Sequence, residues 1–431
     1  MAMENYFDVT NYGILGDGKT NNTGRLNVLL KKAGEKGGIV FVPPGQYVTG
    51  SIRLYSNTTL YLASGAVLLG SDWKEDFPVL DRDDLGTVHR CGLIHAEQAE
   101  NITVCGGGKI DGRGWFWWDD PKQPRPNCIA PVLCNQVKIE NITIVNSPNW
   151  TIHPLCCTDV VIHGISIKNP YDSPNTDGIN PNGCSNVRIS DCCIDVGDDC
   201  LTLKSGTEYT PLAKSRACEA ITITNCTMLH GHGGVVIGSE MSGGVRNVTI
   251  SNCVFKNTDR GIRIKTRRKR AGIVEDILVN NVIMDNVLVP FCVNAYYCCG
   301  KTEDKEYLFS REKQPVDADT PQIRNIRISN VTARNVKLSA MYILGLPEQP
   351  VSGLRVSNMD ISMHNEEQLC WQPVFTEPPV NTCMEGIYAK NIRDCSFDNV
   401  TVQNQNGEAI IIEQGENVRM DGRQVYGERY V

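Results

Sequence analysis

A short alternation of apolar and polar residues returns along most of this chain. Two β-branched or aliphatic residues bracket a third position, and a polar residue then leads to Asn, Asp or Gly. The apolar pairs and corner residues are Val137, Ile139 and Asn141; Val160, Ile162 and Gly164; Val187, Ile189 and Asp191; Ile221, Ile223 and Asn225; and Val248, Ile250 and Asn252. Three more follow at Ile277, Val279 and Asn281; Ile326, Ile328 and Asn330; and Leu354, Val356 and Asn358. Alternation with period two, rich in Val and Ile, predicts strands. A second short strand follows many of them, as in Ile142, Thr143 and Ile144.

The phrase recurs in steps of 23 to 34 residues, with one step of 49. Self-similarity at such a period marks a solenoid, and no amphipathic helix separates the units, which excludes helical and leucine-rich arrays. The predicted fold is all-β, a right-handed single-stranded parallel β-helix. Equivalent strands of successive coils would lie about 4.7–4.9 Å apart, with inward Val and Ile forming a continuous core. The corner Asn or Asp would bond backbone amides in each turn. The Asn-x-Thr triplets at Asn141, Asn225, Asn247, Asn330 and Asn399 read as rungs of this repeat rather than as glycosylation sites.

One stretch breaks the strand pattern. Over residues 23–35, Leu26, Leu29, Leu30 and Ala33 share a helical face, and Thr23 is placed to cap the helix. It reads as the N-terminal cap that a solenoid end requires. The chain is then one β-helix domain over 1–431, with cap and first coils to about 70 and a closure from about 405. Insertions at 72–92, 113–128, 300–321 and 364–383 would bulge from the coils and carry specificity.

Composition narrows the partners. Hydrophobic residues make up 41% and charged residues 21% of 431, with no run suited to a membrane. The net charge of −7 disfavours nucleic acid. An acidic ligand would need a local basic patch. The 19 cysteines include several adjacent pairs and sit mostly beside Val or Ile. They read as small buried hydrophobes with free thiols, hence a reducing, cytoplasmic setting. A secreted chain whose signal had been removed would look the same.

Four short motifs then follow one another at about coil spacing: Asn175-Thr176-Asp177-Gly178, Gly197-Asp198-Asp199-Cys200, Gly231-His232-Gly233 and Arg263-Ile264-Lys265. Each alone is ordinary. On a repeat that supplies the register, they stack three carboxylates, an imidazole and two cations on one wall. Close carboxylates repel one another, so one of them should keep its proton. A protonated acid beside a carboxylate base is what glycoside hydrolysis needs. Adjacent cations would serve an acidic sugar.

These motifs in this order resemble glycoside hydrolase family 28, the polygalacturonases. Similar too are Phe7-Asp8-Val9-Thr10-Asn11-Tyr12-Gly13, Gly16-Asp17-Gly18, Val42-Pro43-Pro44-Gly45, Gly108-Lys109-Ile110-Asp111-Gly112-Arg113-Gly114 and Asn146-Ser147-Pro148-Asn149-Trp150. Gly197 departs from the family's more frequent Gln. The resemblance implies an inverting hydrolase in which Asp198 is the general acid and Asp177 and Asp199 hold and activate water. His232 orients this cluster. Arg263 and Lys265 bind the substrate carboxylate, and Asn175, Gly233 and Tyr297 contact substrate, with Tyr296 leaving that last register open by one. No metal or cofactor is implied.

Two further features have alternative readings. Trp117, in the run Trp115-Phe116-Trp117-Trp118, is either a sugar platform or packing for its loop. Arg267-Arg268-Lys269-Arg270 is a solvated turn or an added positive field. Action on imported oligosaccharides, with long loops blocking one side of a groove, would make the enzyme exo-acting. Rhamnogalacturonan, xylogalacturonan or a neutral pentose on a plant glycoside are the alternative substrates. A non-catalytic carbohydrate-binding β-helix would lack the full acid set. A pectate lyase would need acidic Ca²⁺ ligands and a basic residue that removes a proton. The oligomeric state is left open.

Overall fold

The computed structural model describes residues 5–80, 88–120, 123–300, 304–364, 366, 369–424 and 429–430. Parts of the four insertions, at 81–87, 121–122, 301–303, 365 and 367–368, lie outside the described residues, as do 425–428 and 431 of the C-terminal closure. The chain divides into two compact units, 1–199 with 209–213 and 200–208 with 214–431. Each is parallel β-helix built from the repeat.

In the first unit, strands Asn135–Glu140, Thr158–His163 and Ser185–Ser190 stack in parallel register, so that Val137, Val160 and Val187 form one column and Ile139, Ile162 and Ile189 another. All six are buried. The shorter strands Thr143–Val145, Ser166–Lys168 and Cys193–Asp195 add a third column through Ile144, Ile167 and Ile194. On the remaining side of the coil, Ile129, Ile152 and Ile179 meet by single bridges rather than full strands. Burying a side chain of this size removes enough apolar surface to stabilise by about 1.5–3 kcal/mol, and the columns repeat that gain with every coil.

In the second unit the two short strands fuse, as in Val245–Lys256, Ile273–Asp285 and Gln322–Val336. Ile250, Val279, Ile328, Val356 and Phe397 form one inner column. A second wall consists of Gly233–Gly238, Arg260–Lys265, Val289–Asn294 and Ser339–Leu344. These strands are buried on both faces. Near the C-terminus Arg423–Gln424 and Arg429–Tyr430 pair antiparallel with the preceding strands.

The corner asparagines work differently from expectation. Asn141, Asn252, Asn281, Asn330, Asn358 and Asn399 all adopt left-handed backbone conformations, with φ between 51° and 56°, a region Asn tolerates far better than β-branched residues. Their side chains bond to the next coil as well: Asn358 donates from Nδ2 to Asn330 Oδ1 at 3.3 Å, and Asn399 to Asn358 Oδ1 at 2.9 Å.

The helix spans Thr23–Lys36 and buries Leu26, Leu29, Leu30 and Ala33. Its N-cap is Asn22, not Thr23. The Thr23 hydroxyl instead accepts the Gly50 amide at 2.7 Å, tying the helix to the first coils. The cysteine reading also needs correction: Cys370 and Cys383 form a disulfide across 13 residues. The other cysteines carry thiols and are mostly buried. Among the described residues no helix is long and apolar enough to cross a membrane.

Candidate active site

The first unit holds the three acids. Asp177 lies in an irregular turn whose backbone is fixed by the next coil, the Gly178 amide donating to the Asp199 carbonyl at 3.0 Å. Its own carbonyl accepts the Thr151 amide at 2.8 Å. The side chain is buried, and Asn180 donates to its Oδ2 at 3.1 Å. Asp198 is half-buried and accepts the Asp199 amide on Oδ1 at 2.9 Å. Asp199 is buried. One oxygen from each carboxylate lies within 4.8 Å of the others. The turn before Asp199 therefore presents both members of the Asp pair, where strict strand alternation would have aimed them apart.

Asn175 precedes this group. It is exposed and left-handed, at φ 54°. Its Oδ1 accepts Arg125 Nη2 at 2.7 Å. A guanidinium has only donors, which fixes the flip of the amide, with its oxygen toward Arg125. Arg125 also donates from Nη1 to the carbonyls of Pro148 at 2.8 Å and Pro174 at 2.7 Å. Burial pulls the Arg125 guanidinium below its ordinary pKa, and the Asp177 charge opposes that shift.

The second unit holds the imidazole and the cations. His232 is exposed, and its Nδ1 lies 2.8 Å from Asp259 Oδ2. Gly233, next to it, begins a fully buried strand. Arg263 and Lys265 are buried near-neighbours on one strand. The Arg263 guanidinium lies over Tyr297 at 5.6 Å and over Phe375 at 5.5 Å, and Lys265 Nζ lies 5.2 Å from the Tyr297 centroid. Tyr297 is thus the tyrosine beside the cations. Tyr296 is buried elsewhere, under Arg311 and Arg268. Glu240 feels the Lys265 charge and binds Lys204 Nζ at 2.9 Å. Burial alone would raise its pKa, but the cations outweigh that and hold it at about 2.

The profile described as Glycosyl hydrolases family 28 matches residues 87–383. The chain belongs to this family. A probable polygalacturonase of Vitis vinifera is 34% identical over 374 residues, 82% of this chain and 74% of that one. The structure of a family 28 exopolygalacturonase of Yersinia enterocolitica aligns with a TM-score of 0.81 at 22% identity, over 97% of this chain and 79% of the other. A hyperthermoactive exopolygalacturonase from Thermotoga maritima aligns at 0.74 and 25% identity, over 100% and 96%. The protein is accordingly a glycoside hydrolase of polygalacturonase type.

Two sequence readings of this family 28 hydrolase change. Trp117 is no platform. It is 3% exposed and packs edge-on against Phe77 at 5.4 Å, with Lys74 and Arg90 over its ring. Trp115 and Phe116 are the exposed members of that run. The basic run is no solvated turn either, since Arg267, Arg268 and Arg270 are buried. Arg268 forms a fork with Glu348, Nε to Oε1 at 2.6 Å and Nη2 to Oε2 at 3.0 Å, and Arg270 binds Glu208 at 2.8 Å.

The residues that sequence reasoning missed are Arg125, Asp259, Arg260 and Phe375. Arg125 and Phe375 have partners far along the chain, as Arg260 does apart from its neighbour Asp259. The three acids of the hydrolase are also close enough to share one cation.

Proposed function

We propose that the chain is an inverting exopolygalacturonase that removes galacturonate from the ends of pectic oligosaccharides. The observation that carries this reading is the pairing of two chemistries named by the ordered motifs. One is a close carboxylate trio. The other is the buried pair Arg263 and Lys265 beside half-buried Tyr297, a cluster suited to a sugar carboxylate. A planar guanidinium forks onto a carboxylate, while Lys supplies a point charge. The exopolygalacturonase from Thermotoga maritima, 25% identical to this chain, supports the terminal mode.

In this reading Asp198, the most exposed of the three acids, protonates the leaving oxygen. Asp177 and Asp199 hold the attacking water, and His232 orients the group. Carboxylates in inverting enzymes usually stand about 6.5–9.5 Å apart and in retaining ones about 5–5.5 Å. The spacing here is at most 4.8 Å between nearest chosen oxygens. Two oxygens that far apart can share one water, so inversion rests on the family resemblance and on this bridging role.

The test is to incubate the enzyme with digalacturonate, longer galacturonides and polygalacturonate, following products by proton NMR. Monomer released from the start, first appearing as the anomer opposite to the scissile linkage, is expected. Early mid-length oligomers would refute exo action, retained configuration would refute inversion, and silence on every galacturonide would refute the substrate.

A further inference from the structure

Arg260 is completely buried. A guanidinium taken out of water is tolerated only when its donors and charge are met by the protein. Two of its hydrogen bonds go to one distant segment: Nε donates to the Pro373 carbonyl at 3.0 Å and Nη2 to the Gln372 carbonyl at 2.5 Å. The same segment sandwiches it, with the Trp371 centroid at 5.4 Å and the Phe375 centroid at 4.9 Å.

That segment is a closed loop. The Cys370–Cys383 disulfide ties its ends, and Trp371 and Thr382 exchange backbone hydrogen bonds at 3.2 and 2.9 Å just inside the bridge. The Phe375 carbonyl is anchored in turn by Asn294 Nδ2 at 2.8 Å. The loop therefore presents Trp371 and Phe375 from a braced frame.

On its other side Arg260 reaches Asp259. Its Nη1 donates to Asp259 Oδ2 at 3.3 Å, the oxygen that His232 Nδ1 meets at 2.8 Å. The Asp259 amide also donates to the Gly231 carbonyl at 2.9 Å, beside His232. A carboxylate on Nδ1 selects the ring's tautomer and orientation. The carboxylate can do this only if it is itself held.

We propose that Arg260 is a positioning residue for His232, anchored by the disulfide-closed 370–383 loop and acting through Asp259. The proposal rests on the reading of His232 as part of the hydrolytic machinery, but its geometry does not depend on which sugar is cleaved. Because Phe375 also lies against Arg263, the loop acts on the cationic end as well. Loss of Arg260 alone should fall on kcat, whereas loss of the disulfide should raise KM too.

The test uses the full chain labelled with ¹⁵N-histidine, with the His232 ring assigned by its disappearance in His232→Asn. The parent protein should show the Nδ1–H form. Arg260→Met should move the ring toward a mixed tautomer and lower kcat about tenfold or more with little change in KM, and Arg260→Lys should recover part of both. A phosphine reductant, itself oxidised as it converts the disulfide to two thiols, should shift the same ring signal and raise KM in the parent. It should change nothing in Cys370→Ser/Cys383→Ser, which should already resemble the reduced protein. An unchanged His232 signal in folded Arg260→Met overturns the proposal. Should that variant fail to fold, an unchanged signal in the reduced parent overturns it equally. The ring signal is read without substrate, so inactivity on galacturonides would sink the functional reading and leave this one standing or falling by itself.

Discussion

Arg125 and Asn175 lie 50 residues apart in sequence and share a 2.7 Å hydrogen bond from guanidinium to amide oxygen. The same guanidinium serves the carbonyls of Pro148 and of Pro174, which lies just before the acid turn. Arg125→Met would strand these acceptors and free the Asn175 amide to flip. The Pro148 carbonyl, buried and left unmet, costs about 1–3 kcal/mol. The expected outcome is lower stability in urea unfolding and a fall of about 10- to 100-fold in kcat/KM. Arg125→Lys should rescue little, because one ammonium lacks the fork that spans three acceptors.

In the proposed function Asp198 is the general acid. Asp198→Asn is isosteric and cannot donate an acidic proton. Loss of general acid catalysis is worth about 10²–10⁴ in rate, so kcat should fall by that order while circular dichroism and the melting temperature hold. A variant that keeps its activity removes Asp198 from the role.

The cationic cluster should discriminate between substrates rather than slow them all. Charge-assisted hydrogen bonds are worth about 1.5–3 kcal/mol. Arg263→Ala and Lys265→Ala should each lower kcat/KM on free galacturonides about 10- to 100-fold, and should lower it far less on methyl-esterified ones. Equal losses on both would show that these cations do not read the carboxylate.

Arg268 and Glu348 form a buried ion pair across 80 residues. Breaking such a pair by removing one partner costs about 3–5 kcal/mol, whereas replacing both by apolar groups is often neutral. Glu348→Leu alone should therefore lower the unfolding free energy more than the double variant Arg268→Met/Glu348→Leu. An additive double variant in denaturant titrations would contradict the coupling.

His95 gives the pH dependence. Burial is the main cause of its pKa falling to about 4, with the Arg53 charge adding to it. The Ser51 hydroxyl donates to the Gly92 carbonyl at 2.6 Å and meets His95 Nδ1 at 3.0 Å, so the neutral ring donates to Ser51. In the unfolded chain the ring binds a proton near pH 6.5, before the folded ring does. Its contribution is thus complete above about 6.5 and is lost as pH falls toward about 4, on the order of 2–3 kcal/mol. His95→Gln should flatten that part of the stability profile, read as the difference from the parent between pH 7.5 and 4.

Much of the fold was legible because a β-helix writes its geometry locally. Ile139, Ile162 and Ile189 sit at one place in a repeated phrase, and the structure stacks them in one column. The left-handed corners follow from Asn at the phrase's end. The cap helix was legible by the same kind of periodicity, but its first residue was not: Asn22 and Thr23 are both good caps, and only the Gly50 amide across the fold draws Thr23 elsewhere.

The site was legible as residue types and less so as environments. The acids of Asp177, Asp198 and Asp199 were marked by motif and coil spacing, because each coil delivers equivalent positions to the same wall. Whether Trp117 faced sugar or packed on Phe77, and whether Arg268 met water or Glu348, depended on contacts between segments far apart in sequence. So did the disulfide loop around Arg260, whose partners lie 112 and 113 residues away. The sequence by itself determined the repeat, the family and the chemical groups, since those follow from neighbours along the chain. Only the tertiary structure decided which charges are buried and what holds them, because the desolvation of a charge is set by everything that surrounds it in space.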